Sequence, residues 1–440
     1  MLDIKFIREN MEEVKKNCEL RKVQVEIDYL LQLDDQKRDL LQQVEGFRRG
    51  KNEINEQMKN VSTMGDAEKK ETFNRAGFIK EQLNELEPKL VEVENKLNEL
   101  LSKLPNKTHA DVPVGPDESG NKVIRKIGEP VKFSFPPKDH MEIGEALDIL
   151  DTKTAAIVSG ARFNYIKGEA ALLQFALVQF IFHALTDRTV IAELAKKVGN
   201  PSGRPFVPVV PPVMVKSEIM KKMDRFDPID DRYYFEKDDI LLVGSAEHSL
   251  GPIHMNQTIE EKDLPIRYIG YSTAFRREAG SYGKDMKGIL RAHQFDKLEM
   301  ESFSIPENGE AEQNLFVAVQ EYIVASLKIP YQVVQICTGD MGKPDYRQID
   351  IECWIPSQNK YRETHTSDFM TDFQSRRLNT KVKKTSGEIE FTHMNDATAC
   401  AIGRMLIAIL ENYQNEDGSV TVPEVLRKWM PGNLEKIMKK

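Results

Sequence analysis

Between Ile79 and Leu104 an apolar residue recurs at alternating steps of four and three: Ile79, Leu83, Leu86, Leu90, Val93, Leu97, Leu100, Leu104. Such an unbroken heptad seam commits the segment to a long helix that needs a facing partner. The partner lies upstream, at Leu30, Leu33, Lys37, Leu40, Val44, Phe47, Lys51, Ile54, Met58 and Val61, mostly apolar at the same spacing. Between the two seams, Ser62 to Thr72 is polar and contains Gly65. A glycine and a polar connector at a helix end favour reversal, so the pattern predicts an antiparallel two-helix arm. The upstream seam, Leu30 to Val61, covers roughly 45 Å at about 1.5 Å per residue. Such an arm buries little surface for its length, which suits a reaching device or a dimerisation rod. Pro88 falls inside the second helix and should bend it or free a carbonyl. A short helix over Ile4 to Glu19 is expected to pack back on the globular part.

Pro105 stops the arm, and residues 105–127, with Pro113, Pro116 and two close glycines, read as an exposed linker. This divides the chain into an arm domain (1–104), a linker (105–127) and a catalytic domain (128–440). From about Gly128 strands and helices mix. Ile349, Ile351, Cys353 and Ile355 alternate with Asp350, Glu352 and Trp354, the mark of a strand. Further strands are expected over 207–215, 232–235, 240–243, 266–274 and 295–305, and helices over 169–185, 311–327 and 397–411. Strands cluster without regular alternation with helices, which predicts an α+β fold with a mostly antiparallel sheet flanked by helices.

Composition narrows function by exclusion. With 62 basic and 70 acidic residues the net charge is −8, so a nucleic-acid footprint must be local. The densest basic cluster on the arm is Arg48, Arg49 and Lys51, which could equally be a solvated helix face. The most apolar run, 170–185, carries Gln174, Gln179 and His183 and reads as too short and too polar for a bilayer. The charged start, MLDIKFIREN, is unlike an export signal. Cys18, Cys337, Cys353 and Cys400 have no paired spacing, which argues against a zinc knuckle and fits a reducing, cytoplasmic setting. No glycine-rich nucleotide fingerprint of the Rossmann or P-loop kind is present.

Three segments carry candidate chemistry. FRREAGSYGKDMKGILRAHQF holds Arg276, Glu278, Lys284, Lys287, Arg291 and Phe295 around Gly280, Gly283 and Gly288. Arg276 and Glu278, two apart on a strand, would share a face, either to read a phosphate and an amine-bearing ring or to form an ion pair. Phe295 could stack on a base. RETHT supplies Glu363 and, three residues on, Thr366, oxygen ligands suited to Mg²⁺ or simply part of a strand. A site for a transition metal at His365 and Asp368 lacks Cys or His neighbours. NDATACAIGRMLIAILENYQ is expected to open a helix after Asn395 and Asp396, with Arg404 on its second turn, paired or facing a site.

Together with LPNKTHADVPVGPDE, VPPVMV, GSAEHSLGPIH, RAHQFDKLEM, CTGDMG, TDFQSRRLN and VPEVL, these segments resemble, along nearly the whole chain, the class II aminoacyl-tRNA synthetases and, among them, the seryl-tRNA synthetases. The resemblance implies ATP-dependent activation of L-serine and its transfer to tRNA(Ser) by a homodimer. VPPVMV, with Pro211 or Pro212, and the 169–185 helix would form the dimer interface. ATP would be held by Arg276, Arg277, Glu278, Phe295, Glu363, Thr364, His365, Thr366 and Arg404, with Arg276 and Arg404 catalytic. Mg²⁺ would sit at Glu363 and Thr366, and no zinc is expected. Serine would meet Ser245, Ala246, Glu247, Glu299 and Thr398. The arm would meet tRNA, with Arg48, Arg49 and Lys51 as its basic patch. The chain departs from the family pattern at Ser245 (usually Thr), His365 (Ser), Asp368-Phe369 (Ser-Asn) and Asp396 (Asn), and 186–204 looks long. These departures motivate an alternative, a catalytically impaired relative that binds RNA or protein. Retention of the phosphate-facing arginines opposes it.

Overall fold

In the computed structural model, which describes residues 1–60, 62, 64–279 and 288–439, the chain forms two compact units, 1–107 and 108–440. The expected roles of Val61, Gly280, Gly283, Lys284 and Lys287 lie outside the described residues.

In the first unit, α1 (Ile4–Glu9) and α2 (Met11–Leu20) precede two long helices, α3 (Ile27–Lys59) and α4 (Asp66–Lys103), which pair as the arm. At about 1.5 Å per residue, the 33 residues of α3 extend roughly 50 Å. Helix α4 begins at Asp66, earlier than the polar composition of 62–72 suggested, and already buries Thr72. Val44, Ile54, Ile79, Leu83, Leu86 and Leu90 form the arm's core. The α3 seam passes over Gly50 rather than the exposed Lys51, and a Cβ added at Gly50 would meet Ile79 Cδ1 at 3.0 Å. On α4, burial shifts from Leu100 to Leu101 near the root. Cross-arm pairs fix the register: Lys37 with Glu94 at 3.3 Å, Arg48 with Glu87 at 2.8 Å, Arg75 with Glu53 at 3.2 Å. The single N-terminal helix expected over 4–19 is two helices, and both are tied to the root of α3. Arg8 pairs with Asp34 and Asp35, both at 2.7 Å, and Lys15 with Asp28 at 3.0 Å.

The second unit is built on an eight-stranded sheet: β1 (Lys122–Ile127), β2 (Val207–Val209), β3 (Ile266–Phe275), β4 (Gln294–Ser304), β5 (Tyr331–Gln335), β6 (Arg347–Ile355), β7 (Lys360–Thr371) and β8 (His393–Ala401). Their order is β1-β5-β6-β7-β8-β4-β3-β2, antiparallel throughout except for the β2–β3 pair. Residues 122–127, read as linker, form the edge strand β1 on β5.

Three helices cover one face: α5 (Gly168–Thr186), α6 (Gly309–Ser326) and α7 (Ile402–Asn412). Leu173, Leu177, Leu315, Val319, Met405 and Ile409 pack there on Leu298, Met300, Ile349, Ile351 and Ala397. Among the described residues α5 alone is long and apolar enough to cross a bilayer by length and composition, but half of that stretch is buried, in this core. The segment 397–401 is strand, not the first turn of a helix. Its Ala-Thr-Ala-Cys-Ala run is buried on both faces at the middle of the sheet, and such a run carries no period-two signal. Helix α7 therefore starts at Ile402, which puts Arg404 on the first turn.

Candidate active site

The face of the sheet away from these helices carries the polar residues. Along β4 the period of two turns Leu298 and Met300 into the core and sets Phe295, Lys297, Glu299 and Glu301 on the other face. Two bulges align their neighbours. On β7, Ile351 pairs with His365 but Glu352 pairs with Glu363, so Thr364 is the extra residue. Glu363 and Thr366, three apart and thus on opposite faces of a regular strand, consequently share one face. On β8, Leu298 pairs with Cys400 and Glu299 with Thr398, so Ala399 is extra and Thr398 lies across from Glu299. Gln320 of α6 donates through Nε2 to the carbonyls of Thr366 (2.6 Å) and Thr398 (2.9 Å), which fixes both strands beside their bulges. The two hydroxyls meet, Thr366 Oγ1 to Thr398 Oγ1, at 3.1 Å.

A cleft opens on this face, lined by Arg276, Glu278, Phe295, Lys297, Glu363, Thr364, Thr366, Thr398 and Arg404 among others. Arg404 Nη1 donates to the Glu363 carboxylate at 2.7 Å and to its carbonyl at 3.0 Å. Burial alone would push the Glu363 carboxyl up, but the Arg404 guanidinium outweighs it and holds it below the usual range. Arg276 lies over the Phe295 ring, 5.5 Å from its centre, and donates to the Gly244 carbonyl at 3.1 Å. Strand β3 ends at Phe275, so Arg276 and Glu278 do not share a strand face. Glu278 has a φ of 52° and pairs with Arg291 at 3.1 Å. Both still reach the cleft, positioned by a turn rather than by strand periodicity.

Next to this cationic end is a buried acidic one. Ser245, Glu247, Glu299, Glu301 and Asp396 are all at most 8% exposed. One oxygen from each of Glu247, Glu299 and Asp396 falls within 4.8 Å of the others. Arg225 donates to Glu247 at 2.7 Å, and Lys297 Nζ reaches Glu299 at 2.6 Å and Ser245 Oγ at 3.3 Å. Burial raises the Glu299 carboxyl and raises Glu301 and Asp396 much further. Glu247, despite its burial, is held well below the carboxylate range by Arg225 and its other cationic neighbours. Crowded carboxyls cannot all ionise, so the negative charge concentrates where cations oppose it.

Two residues grouped with the nucleotide on resemblance lie elsewhere. His365 pairs in register with Ile351 and points into the core, fully buried. Its Nδ1 is 2.8 Å from Thr364 Oγ1, and burial drops its pKa to about 3. The same bulge that brings Thr366 into the cleft turns His365 out of it. Arg277 lies over the Tyr233 ring, 5.8 Å from its centre, and is not among the residues lining the cleft. Ala246 is buried in the turn before a short helix, Glu247–Leu250. Asp368 pairs in register with Asp396. On the arm, Arg49 and Lys51 are exposed, while Arg48 bonds Glu87. Segment 186–204 contains a helix, Arg188–Lys197, capped by Asp187. Three contributors carried no assigned role: Lys297, Arg225 and Gln320. The alternation Phe295, Lys297, Glu299 would have revealed the first; nothing local marks the others.

Comparison with known proteins agrees with this geometry. Residues 1–108 match the seryl-tRNA synthetase N-terminal domain, and residues 233–413 the tRNA synthetase class II core domain (G, H, P, S and T). A serine--tRNA ligase of Symbiobacterium thermophilum is 38% identical over 430 residues, 98% of either chain. A seryl-tRNA synthetase from Pyrococcus horikoshii, solved with ATP, superposes with a TM-score of 0.85 at 35% identity over the full length of both chains. A cytoplasmic serine-tRNA ligase from Naegleria fowleri, solved with AMP, gives 0.82 at 28% identity over all of this chain and 99% of that one. With arm, sheet and cleft matched end to end, the chain belongs to the seryl-tRNA synthetase family.

Proposed function

We propose that the cleft activates L-serine with ATP and passes the seryl group to tRNA(Ser), the reaction of a serine–tRNA ligase. The observation that carries this reading is the juxtaposition of two guanidinium groups and an aromatic ring, Arg276, Arg404 and Phe295, with the buried Ser245, Glu299 and Thr398. Phe295 stacks on adenine and Glu278 accepts from its amine. A carboxylate oxygen of serine attacks the α-phosphorus; the bond from that phosphorus to the bridging oxygen breaks, and pyrophosphate leaves with the electron pair. Arg276 neutralises the α-phosphate and Arg404 the leaving end, so catalysis is positioning and charge stabilisation. The 3′-hydroxyl of the terminal adenosine then attacks the seryl carbonyl and releases AMP.

Glu363 and Thr366, hard oxygen donors aligned on one face by the β7 bulge, fit Mg²⁺ and would hold it. The ion would supply further neutralisation of phosphate charge. Exposed apolar residues on α5 and near β2, Phe175 at 55% and Val210 at 81%, support a homodimer across this surface. The exposed basic residues of the arm support its contact with the tRNA backbone.

ATP–pyrophosphate exchange with each amino acid in turn, followed by transfer to purified tRNA, tests the reading. Exchange dependent on L-serine alone is expected; exchange driven best by another amino acid would reject it. Specificity rests on hydrogen bonds a hydroxyl alone can satisfy, because their partners are otherwise left unpaired. In Thr398→Val, kcat/KM for serine should fall by about tenfold or more, roughly one lost hydrogen bond in a buried site, with little change in the unfolding midpoint. An unchanged serine KM and kcat would remove Thr398 from the pocket.

A further inference from the structure

Lys297 has no part in the scheme so far, yet it occupies its centre. It sits on β4 one same-face step, about 6.7 Å, from Phe295 on one side and from Glu299 on the other. If Phe295 marks adenine, as the proposed function holds, and the buried Glu299 of the serine side takes the α-amino group, the residue between them lies where serine carboxylate and α-phosphate must meet. Its ammonium is nevertheless turned toward the amino end, to Glu299 at 2.6 Å and Ser245 Oγ at 3.3 Å. Both belong to the buried set that faces serine in the proposed function, and Glu299 is the one placed to take its ammonium. The side chain is nine-tenths buried, so its charge can move only within the site. Lys297 and Glu363, on the phosphate side, line the same cleft.

We infer that Lys297 is an internal stand-in for the serine ammonium: it holds Glu299 and Ser245 until serine displaces it, and the released ammonium then neutralises the carboxylate–phosphate junction where the new bond forms. Two ammonium groups brought to the one buried Glu299 carboxylate repel each other at close range, so entry of one favours withdrawal of the other. The expelled Nζ has a long flexible stem; Glu247 and Asp396 at the acidic end already face Arg225, which leaves Glu363 and the phosphates, along the cleft, as its anionic partners. Serine recognition and electrostatic readiness for phosphoryl transfer thereby become one event. No covalent bond to Lys297 is made, and no proton is required from it.

The inference rests on the serine-activation reading, and its test separates the two. L-Serine methyl ester keeps the ammonium and the hydroxyl but lacks the carboxylate charge. In Lys297→Met the ester should bind several-fold tighter, about three- to tenfold, because the internal competitor is gone. Turnover in serine-dependent pyrophosphate exchange should at the same time fall by about 10²–10³. Lys297→Arg, which retains a cation and guards against a folding artefact, should recover at least about tenfold of that turnover. A merely structural lysine would not move binding and turnover in opposite senses. Ester binding unchanged or weaker in Lys297→Met, or turnover within a few-fold of the parent, overturns the inference. Glu299→Gln is the control on the underlying reading. If it leaves ester binding unchanged, the ammonium site itself is wrong; if it weakens binding while Lys297→Met changes nothing, only the exchange role falls.

Discussion

Replacing Arg276 with alanine should lower serine-dependent ATP–pyrophosphate exchange by about 10²–10³, the loss expected when a preorganised cation is removed from developing phosphate charge. The effect should lie mainly in kcat, since Arg276 contacts neither Glu299 nor Thr398 among its described partners and serine's own contacts persist. Arg404→Ala should match it in size but for a mixed reason. Arg404 both faces the cleft and opposes the burial that raises the Glu363 carboxyl. Its loss therefore removes one positive charge and drives Glu363 toward its neutral form, a poorer ligand for a cation. Stopped-flow or steady-state exchange assays on folded variants, checked by thermal melting, decide the matter. Exchange near the parental rate in Arg276→Ala would withdraw its assignment.

The second large effect separates the two compact units. Excision of Leu33 to Leu97, rejoined by a short polar loop, should abolish tRNA charging while leaving serine-dependent pyrophosphate exchange within a few-fold of the parent. Every residue lining the cleft lies in 108–440, and the arm's core closes on itself through Val44, Ile54, Ile79 and Leu83. The cleft thus has no lining residue to lose. Charging loses the long charged surface that can follow an RNA backbone by shape and phosphate contact. Charging measured with radiolabelled serine at near-parental rates would show that tRNA is read elsewhere.

How far the sequence foretold this molecule depends on whether a period carried the message. The heptads at Ile79 to Leu104 gave the arm because a knob must recur every three or four residues to stay on one seam. They missed the local slips to Gly50 and Leu101, which depend on how the facing helix is rotated. The alternation from Ile349 to Ile355 gave β6. It failed at 397–401, where a strand buried on both faces has no polar side to alternate with. Among the site residues, Phe295, Glu299, Glu363, Thr366, Thr398 and Arg404 do come to the same face of the sheet or its rim. Family resemblance rather than periodicity assembled that set. Strict alternation would have separated Glu363 from Thr366, and the expectation of a helix would have misplaced Thr398. His365 fails for the complementary reason: proximity in the chain to Thr366 says nothing about which way a bulged strand turns it.

The bulges at Thr364 and Ala399 make chain length, and not only residue identity, part of what aligns the side chains lining the cleft. Deleting the apolar-facing Ala399 would remove no functional group, yet regular pairing would restore itself by rotating every residue on one side of the gap by half a turn. Thr398 or Arg404's helix would then face the wrong way. Drift in this family can therefore explore side chains at these strands far more freely than it can gain or lose a single codon there, and natural variation in length should accumulate at the connections between strands instead.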